Sequence, residues 1–420
     1  MPNLAIVSLA AILAAIAIGF IKKTNVGILM IGFAFIISKF YGISNKQLLA
    51  GFNASLFVTM MGVTYLFSIL IKNKTLEILG QKIVGLVRIK KALPIAIYFV
   101  GFVLTAMGPG SIPVLAIMPV IAIPIAFSAG CSPMMLSIIG ECGAFGGRMT
   151  KITPEGLLTI RLMEEQGITS GIMPVWACLF LTSIVLSVVC YIYYKGWKME
   201  ETGEGRRNET AGKFNKDQII SLIGLAALIV GAVAFSWNVG LTAFTIGMIL
   251  SAIGVADEGA CIKAIPWSVL ILVSGVGILM NVVLESGGID LLSGSLTAVM
   301  SQRTAAAIMD ATACFMSFFS SGLGVVFPTL MPTCGPVAAN FGGAVNPSLL
   351  VAMVAVGGTV SGLSPVSTTG ALIMSGIAAD EESDKKYDSS KMFVELFGWA
   401  FAALGISFLM AILGVYNLLV

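Results

Sequence analysis

Between two long apolar runs lies GAFGGRMTKITPEG, Gly143 to Gly156, in which Arg148, Lys151 and Glu155 sit among glycines, threonines and a proline. A helix that breaks there frees backbone carbonyls on one piece and N–H groups on the next. The N-terminal end of a half-helix carries partial positive charge and donors suited to a carboxylate. Arg148 adds a fixed, fork-shaped cation for the same ligand. Freed carbonyls and Ser or Thr hydroxyls suit a small hard cation such as sodium. Three other stretches have the same character: MGPGSIP (Met107 to Pro113), FSSGLGVVFP (Phe319 to Pro328) and GTVSGLSPVSTTG (Gly358 to Gly370). Arg148 is read as a substrate contact, with a structural pair to Glu141 or an anchoring role as the alternatives. Lys151 and Glu155 lie further towards the outside, where snorkelling to the interface accounts for them. Asp310 is a candidate proton relay, and Glu395, which follows a charged loop, is read as interfacial.

The elements that must position these residues follow from composition. With 57% hydrophobic and 11% charged residues and a mean hydropathy of +0.99, the chain of 420 residues reads as a polytopic membrane protein. Apolar stretches long enough to span recur at 4–20, 26–42, 54–71, 171–194, 218–235, 240–256, 266–284 and 392–417. Two longer blocks, 92–165 and 305–380, are cut by Gly, Pro and Ser. The first segment lacks a basic n-region and reads as a membrane helix, not a cleaved signal. There is no His, and the seven Cys include no CxxC pair, so neither a metal site nor a disulfide framework is expected. Without HExxH or a paired catalytic Asp no enzyme is expected, and without a GxxxxGK[ST] loop ATP-driven transport would require a separate partner. No nucleic-acid partner is expected.

The two halves align at an offset of about 213 residues. GVTYLFSIL from Gly62 meets GVGILMNVV from Gly275; LEIL from Leu76 meets IDLL from Ile289; Met118-Pro119 meets Met331-Pro332. After a one-residue shift, Gly143 and Gly156 meet Gly357 and Gly370. The stripes Leu76, Leu79, Ile83, Leu86 and Ile289, Leu292, Leu296, Val299 predict short amphipathic helices at 74–90 and 288–303. The expected fold is an all-α polytopic membrane protein of two repeats. Residues 1–196 form the N-terminal repeat, with a re-entrant hairpin at 92–129 and a broken helix at 133–165. Residues 197–216 form a cytoplasmic linker. Residues 217–420 form the C-terminal repeat, with a hairpin at 305–341 and a broken helix at 347–380. A hairpin adds no crossing, so each half has five spanning helices, an odd number, and the second repeat is inverted. With the side after the first helix taken as inside, 18 of the 24 basic residues lie inside and four outside. Both termini are then expected outside, in the periplasm of a prokaryotic inner membrane.

GVTYLFSILIKNKTLEILG, Gly62 to Gly80, resembles the signature near the N-terminus of MatC-type dicarboxylate carriers, and the paired-hairpin layout resembles the ion-transporter superfamily that includes the divalent anion/sodium symporters. The resemblance implies a homodimer, an elevator motion of the hairpins and broken helices against a fixed scaffold, and symport of a small dicarboxylate such as malonate, malate or succinate. The symporters carry Ser-Asn-Thr at each hairpin tip; here only serine corresponds, at Ser111 and at Ser320 or Ser321, and no Asn is present in either tip. Gly146, Gly147 and Thr150, and Pro365, Ser367 and Thr368, resemble the pattern of the two broken helices. By this resemblance the substrate contacts are Ser111, Thr150, Ser321, Ser367 and Thr368; Arg148, which has no counterpart in the sodium symporters, joins them as an extra cation apt for a dianion. Sodium would be framed by Gly110, Ser111, Gly147, Ser320, Ser361 and Ser364; no other cofactor is implied. A sodium/proton antiporter, a carrier of another anion or a sugar-acid permease on the same architecture is the alternative.

Overall fold

The structure, a computed structural model, describes residues 3–22, 24–85, 89–199, 213–235, 237–318, 321–378 and 389–420. Among these every regular element is helical. The first half comprises α1 (Leu4–Lys22), α2 (Val26–Tyr41), α3 (Asn45–Leu49), α4 (Ala54–Lys72), α5 (Thr75–Gly85), α6 (Leu93–Ala106), α7 (Ser111–Ala129), α8 (Pro133–Gly147), α9 (Pro154–Glu165) and α10 (Met173–Tyr193). The second comprises α11 (Lys216–Ala234), α12 (Val239–Ala252), α13 (Glu258–Ala264), α14 (Trp267–Glu285), α15 (Gly288–Ala298), α16 (Ala305–Ser317), α17 (Phe327–Leu330), α18 (Cys334–Asn340), α19 (Pro347–Val360), α20 (Thr368–Ala378) and α21 (Ser389–Ile412). Asparagines cap many of the starts: Asn25, Asn53, Asn215, Asn238 and Asn346 each accept a hydrogen bond from the first turn that follows.

Five described helical stretches, Asn45–Lys72, Met173–Tyr193, Trp267–Glu285, Gly322–Asn340 and Lys391–Ile412, are long and apolar enough to cross a membrane by length and composition. Shorter apolar helices, including Leu4–Gly19 and Val26–Tyr41, accompany them. Large apolar side chains such as Leu13, Ile28, Ile223, Met248, Val394 and Leu409 are exposed on their surfaces, as an integral membrane protein requires. The second amphipathic helix is shorter than the sequence pattern predicts, α15 ending at Ala298; the first is described as far as Gly85, and 86–88 lie outside the described residues. The greater part of the linker, 200–212, lies outside them too. Two short helices, α3 and α13, were not foreseen; each is too short to register as an apolar period.

Glycines let the helices approach backbone to backbone. A Cβ at Gly27 of α2 would lie 2.4 Å from Leu272 Cα, and one at Gly275 of α14 would lie 2.1 Å from Gly27 O. The same pair of contacts recurs about 213 residues along. A Cβ at Gly240 of α12 would lie 2.3 Å from Thr59 Cα, and one at Gly62 of α4 would lie 2.3 Å from Gly240 O. Each half thus clasps the other, α2 on α14 and α12 on α4. The broken helices pack by the same means. Gly140, Gly143 and Gly147 form the side of α8 turned to α6, where a Cβ at Gly143 would lie 2.0 Å from Tyr98 O. On α19, a Cβ at Gly357 would lie 2.3 Å from Asp310 O of α16.

Candidate substrate site

The first hairpin turns between α6 and α7 through Gly108 and Gly110, whose φ values of +126° and +80° strain any residue with a side chain. Its tip abuts the break between α8 and α9. Thr153 organises that break: its hydroxyl donates to Arg148 O (2.6 Å) and Thr150 O (2.9 Å) and accepts from Gly156 N (3.1 Å). The Thr150 hydroxyl donates to Ala106 O at the end of α6 (3.2 Å) and ties break to hairpin.

The second break is built alike. The Ser367 hydroxyl donates to Gly362 O and to Ser364 O (2.9 Å), the positions corresponding to Arg148 and Thr150. Gly156 and Gly370 are both required there, since a Cβ would lie 1.9 Å from Thr150 O and 2.4 Å from Ser364 O respectively. The Ser361 hydroxyl donates to Gly357 O within its own helix (2.6 Å), and that of Ser364 to Phe318 O at the end of α16 (3.2 Å), tying the second break to its hairpin. Ser321 caps the π-turn at Gly322–Val326, accepting from Gly324 N at 3.3 Å. Ser320 and the Thr368 side chain lie outside the described residues.

Arg148 is where the elements meet. Its side chain is 7% exposed, and its Nε donates to Glu155 Oε1 at 3.2 Å. Its Nη1 donates to Thr359 Oγ1 of α19 at 3.2 Å, and its guanidinium carbon lies 5.3 Å from the centroid of the Phe327 ring. Glu155 Oε1 also accepts from the Ser111 backbone N–H (3.0 Å) and hydroxyl (2.5 Å) at the start of α7. Gly110, Ser111, Arg148 and Thr150 are thus brought to one place. Gly147 ends α8 beside it, packed so that a Cβ would lie 2.5 Å from Phe102 O. Ser321, Ser361, Ser364 and Ser367 make no hydrogen bond to Arg148.

Two readings from sequence are corrected here. Glu155 does not snorkel to the interface: its side chain is 1% exposed and gripped by three donors. Glu141 is not the partner of Arg148, and its two buried carboxylate oxygens have no hydrogen-bond partner. Glu155, Thr359 and Phe327 were missed. A usable signal for Glu155 was its place in the first turn after the Thr153-Pro154 helix start, where a carboxylate turns back to the break. Asp310 is buried in α16 and accepts from Ser407 Oγ at 2.7 Å, and Glu395 accepts from the Tyr194 hydroxyl.

Three cavities run along α4. One of about 440 Å³ lies at its Ala54 end, lined by Asn53, Arg161, Glu165, Ser274 and Asn281 among others. One of about 370 Å³ lies at its Lys72 end, lined by Ser68, Lys72, Glu77 and Ile112. Between them is a constriction of about 20 Å³ lined by Pro109, Gly110, Ser111 and Glu155. The constriction shares Met60 and Leu270 with the first cavity and Thr64, Ile112, Pro113 and Pro266 with the second.

Comparison with known proteins agrees with this architecture. Residues 1–148 match the family described as the dicarboxylate carrier protein MatC N-terminus, and residues 217–411 match the Na+/H+ antiporter family. Among solved structures, the Alcanivorax borkumensis YdaH transporter is similar with a TM-score of 0.60 at 14% identity, over 88% of this chain and 87% of that one. Neisseria gonorrhoeae MtrF, described among antimetabolite efflux pumps, is similar with a TM-score of 0.53 at 11% identity, over 87% of this chain and 82% of that one. No curated protein matches the chain. The chain is thus similar over residues 1–148 to the N-terminus of MatC-type dicarboxylate carriers and over residues 217–411 to the Na+/H+ antiporter family, and its apolar helices are those of an integral membrane protein.

Proposed function

We propose that the protein is a secondary transporter that carries a small dicarboxylate of the malonate, malate or succinate type across the prokaryotic inner membrane, coupled to sodium or to protons. The observation that carries this reading is the buried Arg148 fork at a helix break and hairpin tip, beside a constriction that separates cavities at the two ends of α4. Arg148 and Ser111 bind one carboxylate, and Thr150 sets the tip against the break. Ser321, Ser367 and Thr368 contact the substrate from the second half, and the carbonyls and hydroxyls around Gly110, Gly147, Ser320, Ser361 and Ser364 frame the cation. The repeated glycine clasps and the matched breaks support two inverted repeats. In this reading α1, α2, α4, α12 and α14 belong to a scaffold, through which a homodimer forms with its termini outside. The hairpins and broken helices move against it as an elevator.

Proteoliposomes test this. Radiolabelled malonate and succinate should accumulate under an imposed sodium or proton gradient and not without one; no uptake under any gradient rejects the dicarboxylate. A second reading, sodium/proton exchange, is favoured by the match over 217–411 and by the unpartnered Oδ1 of buried Asp310. It predicts luminal pH changes on a sodium pulse with no diacid present.

A further inference from the structure

Glu155 is a carboxylate, and it occupies a position suited to a carboxylate ligand. One oxygen, Oε1, takes the Ser111 N–H, the Ser111 hydroxyl and Arg148 Nε, at 3.0, 2.5 and 3.2 Å. The other, Oε2, is buried without a hydrogen-bond partner. It lies beside Gly110, where a Cβ would be 3.0 Å away, on the wall of the constriction between the two larger cavities. The N-termini of α7 and α9 converge on the same group, each contributing about half a positive charge. Without the Glu155 side chain, the position would hold a guanidinium and two helix N-termini, which fit an external carboxylate.

Nothing in the architecture of the break requires Glu155. The second break has a hydroxyl donating to the two corresponding carbonyls and the same packed glycine, yet Thr369 stands at the position of Glu155 and Gly362 at that of Arg148. The ion pair is therefore an addition to a fold element that forms without one.

We propose that Glu155 is a resident competitor for the substrate's carboxylate: the substrate binds by displacing Glu155 from Ser111 and Arg148, and Glu155 returns when the substrate leaves. This rests on the carboxylate-transport reading above. The exchange conserves charge at Arg148, so the guanidinium is never left alone in the membrane interior, where an unpaired charge is most costly. It also makes Glu155 a specificity determinant, since neutral solutes of the same shape offer nothing to replace it.

The test is binding of acetate and of malonate to the purified protein, measured by calorimetry for wild type, Glu155→Gln and the double variant Arg148→Gln/Glu155→Gln. Glu155→Gln should bind acetate at least about tenfold more tightly than wild type, and the gain should vanish in the double variant, which removes both charges and controls for folding. Malonate affinity should rise in parallel. Should Glu155→Gln fail to fold, Glu155→Asp, whose shorter side chain withdraws from the donors, should show a smaller gain of the same sign. Acetate binding unchanged from wild type, a gain that survives loss of Arg148, or weaker malonate binding in Glu155→Gln overturns the proposal. Acetate binding to Glu155→Gln with no malonate binding by any form keeps the carboxylate site and overturns the dicarboxylate reading alone.

Discussion

Arg148 and Glu141 show how differently two buried charges on one broken helix are treated. Arg148 is held by Glu155 and Thr359 and lies by Phe327, so its truncation strands Glu155 with its charge unmatched. Breaking a buried pair by removing one partner typically costs about 3–5 kcal/mol. Arg148→Ala should therefore lower the thermal unfolding midpoint clearly, and Arg148→Lys should not restore it, because an ammonium cannot reach Glu155 and Thr359 in the fixed directions of the fork. Glu141 receives no hydrogen bond, so Glu141→Gln removes no donor's partner and should leave the midpoint unchanged or raised. Both comparisons need only detergent-solubilised protein and a melting curve; a loss in Glu141→Gln as large as that in Arg148→Ala would contradict the structure. Arg148 was legible in the sequence as an odd charge in an apolar run. Its partners were not: Glu155 lies across a non-helical break where spacing says nothing about facing, and Thr359 and Phe327 arrive through tertiary packing.

At the scale of elements, the site depends on backbones that touch. Gly143 sits against Tyr98 O, and a methyl group there would force α6 and α8 apart. Gly143→Ala should cost about 1–3 kcal/mol, the usual range for overpacking, and should weaken substrate binding by displacing the hairpin. Gly110→Ala should cost less stability and more activity. It strains a left-handed residue at the tip and crowds Glu155 Oε2 and Pro154, while leaving the helix packing untouched. Melting and uptake measured on the same preparations separate the two effects. The breaks themselves could be read from Gly, Pro and Ser clusters, because such clusters cannot sustain a helix. The hydroxyls within them donate their protons to carbonyls, Ser361 to its own helix, Ser364 to the end of α16 and Ser367 within the break, which leaves their oxygen lone pairs for a ligand. Which carbonyl each serine meets could not be read from the sequence, because the acceptors come from the break and from the hairpin.

For the whole molecule, the mutual clasp of α2 on α14 and α12 on α4 is the clearest sign that the two halves are built alike and pack on each other. The offset of about 213 residues made it legible, since Gly62 and Gly275 stand out in otherwise matching apolar runs. The pairing of each glycine with the other half required the structure. The cavities at the two ends of α4 predict sidedness. In a background without the partly exposed Cys131, Asn281→Cys should react with a membrane-impermeant thiol reagent from one face and Glu77→Cys only from the other. Labelling of both from one face would deny that the constriction divides the path.

The central claim is that a diacid binds at Arg148, and equilibrium binding of radiolabelled malonate to purified wild type and Arg148→Gln tests it most directly. Saturable binding by wild type that falls at least about tenfold in a variant still monodisperse on gel filtration is the predicted result. Equal binding by the two proteins would contradict it.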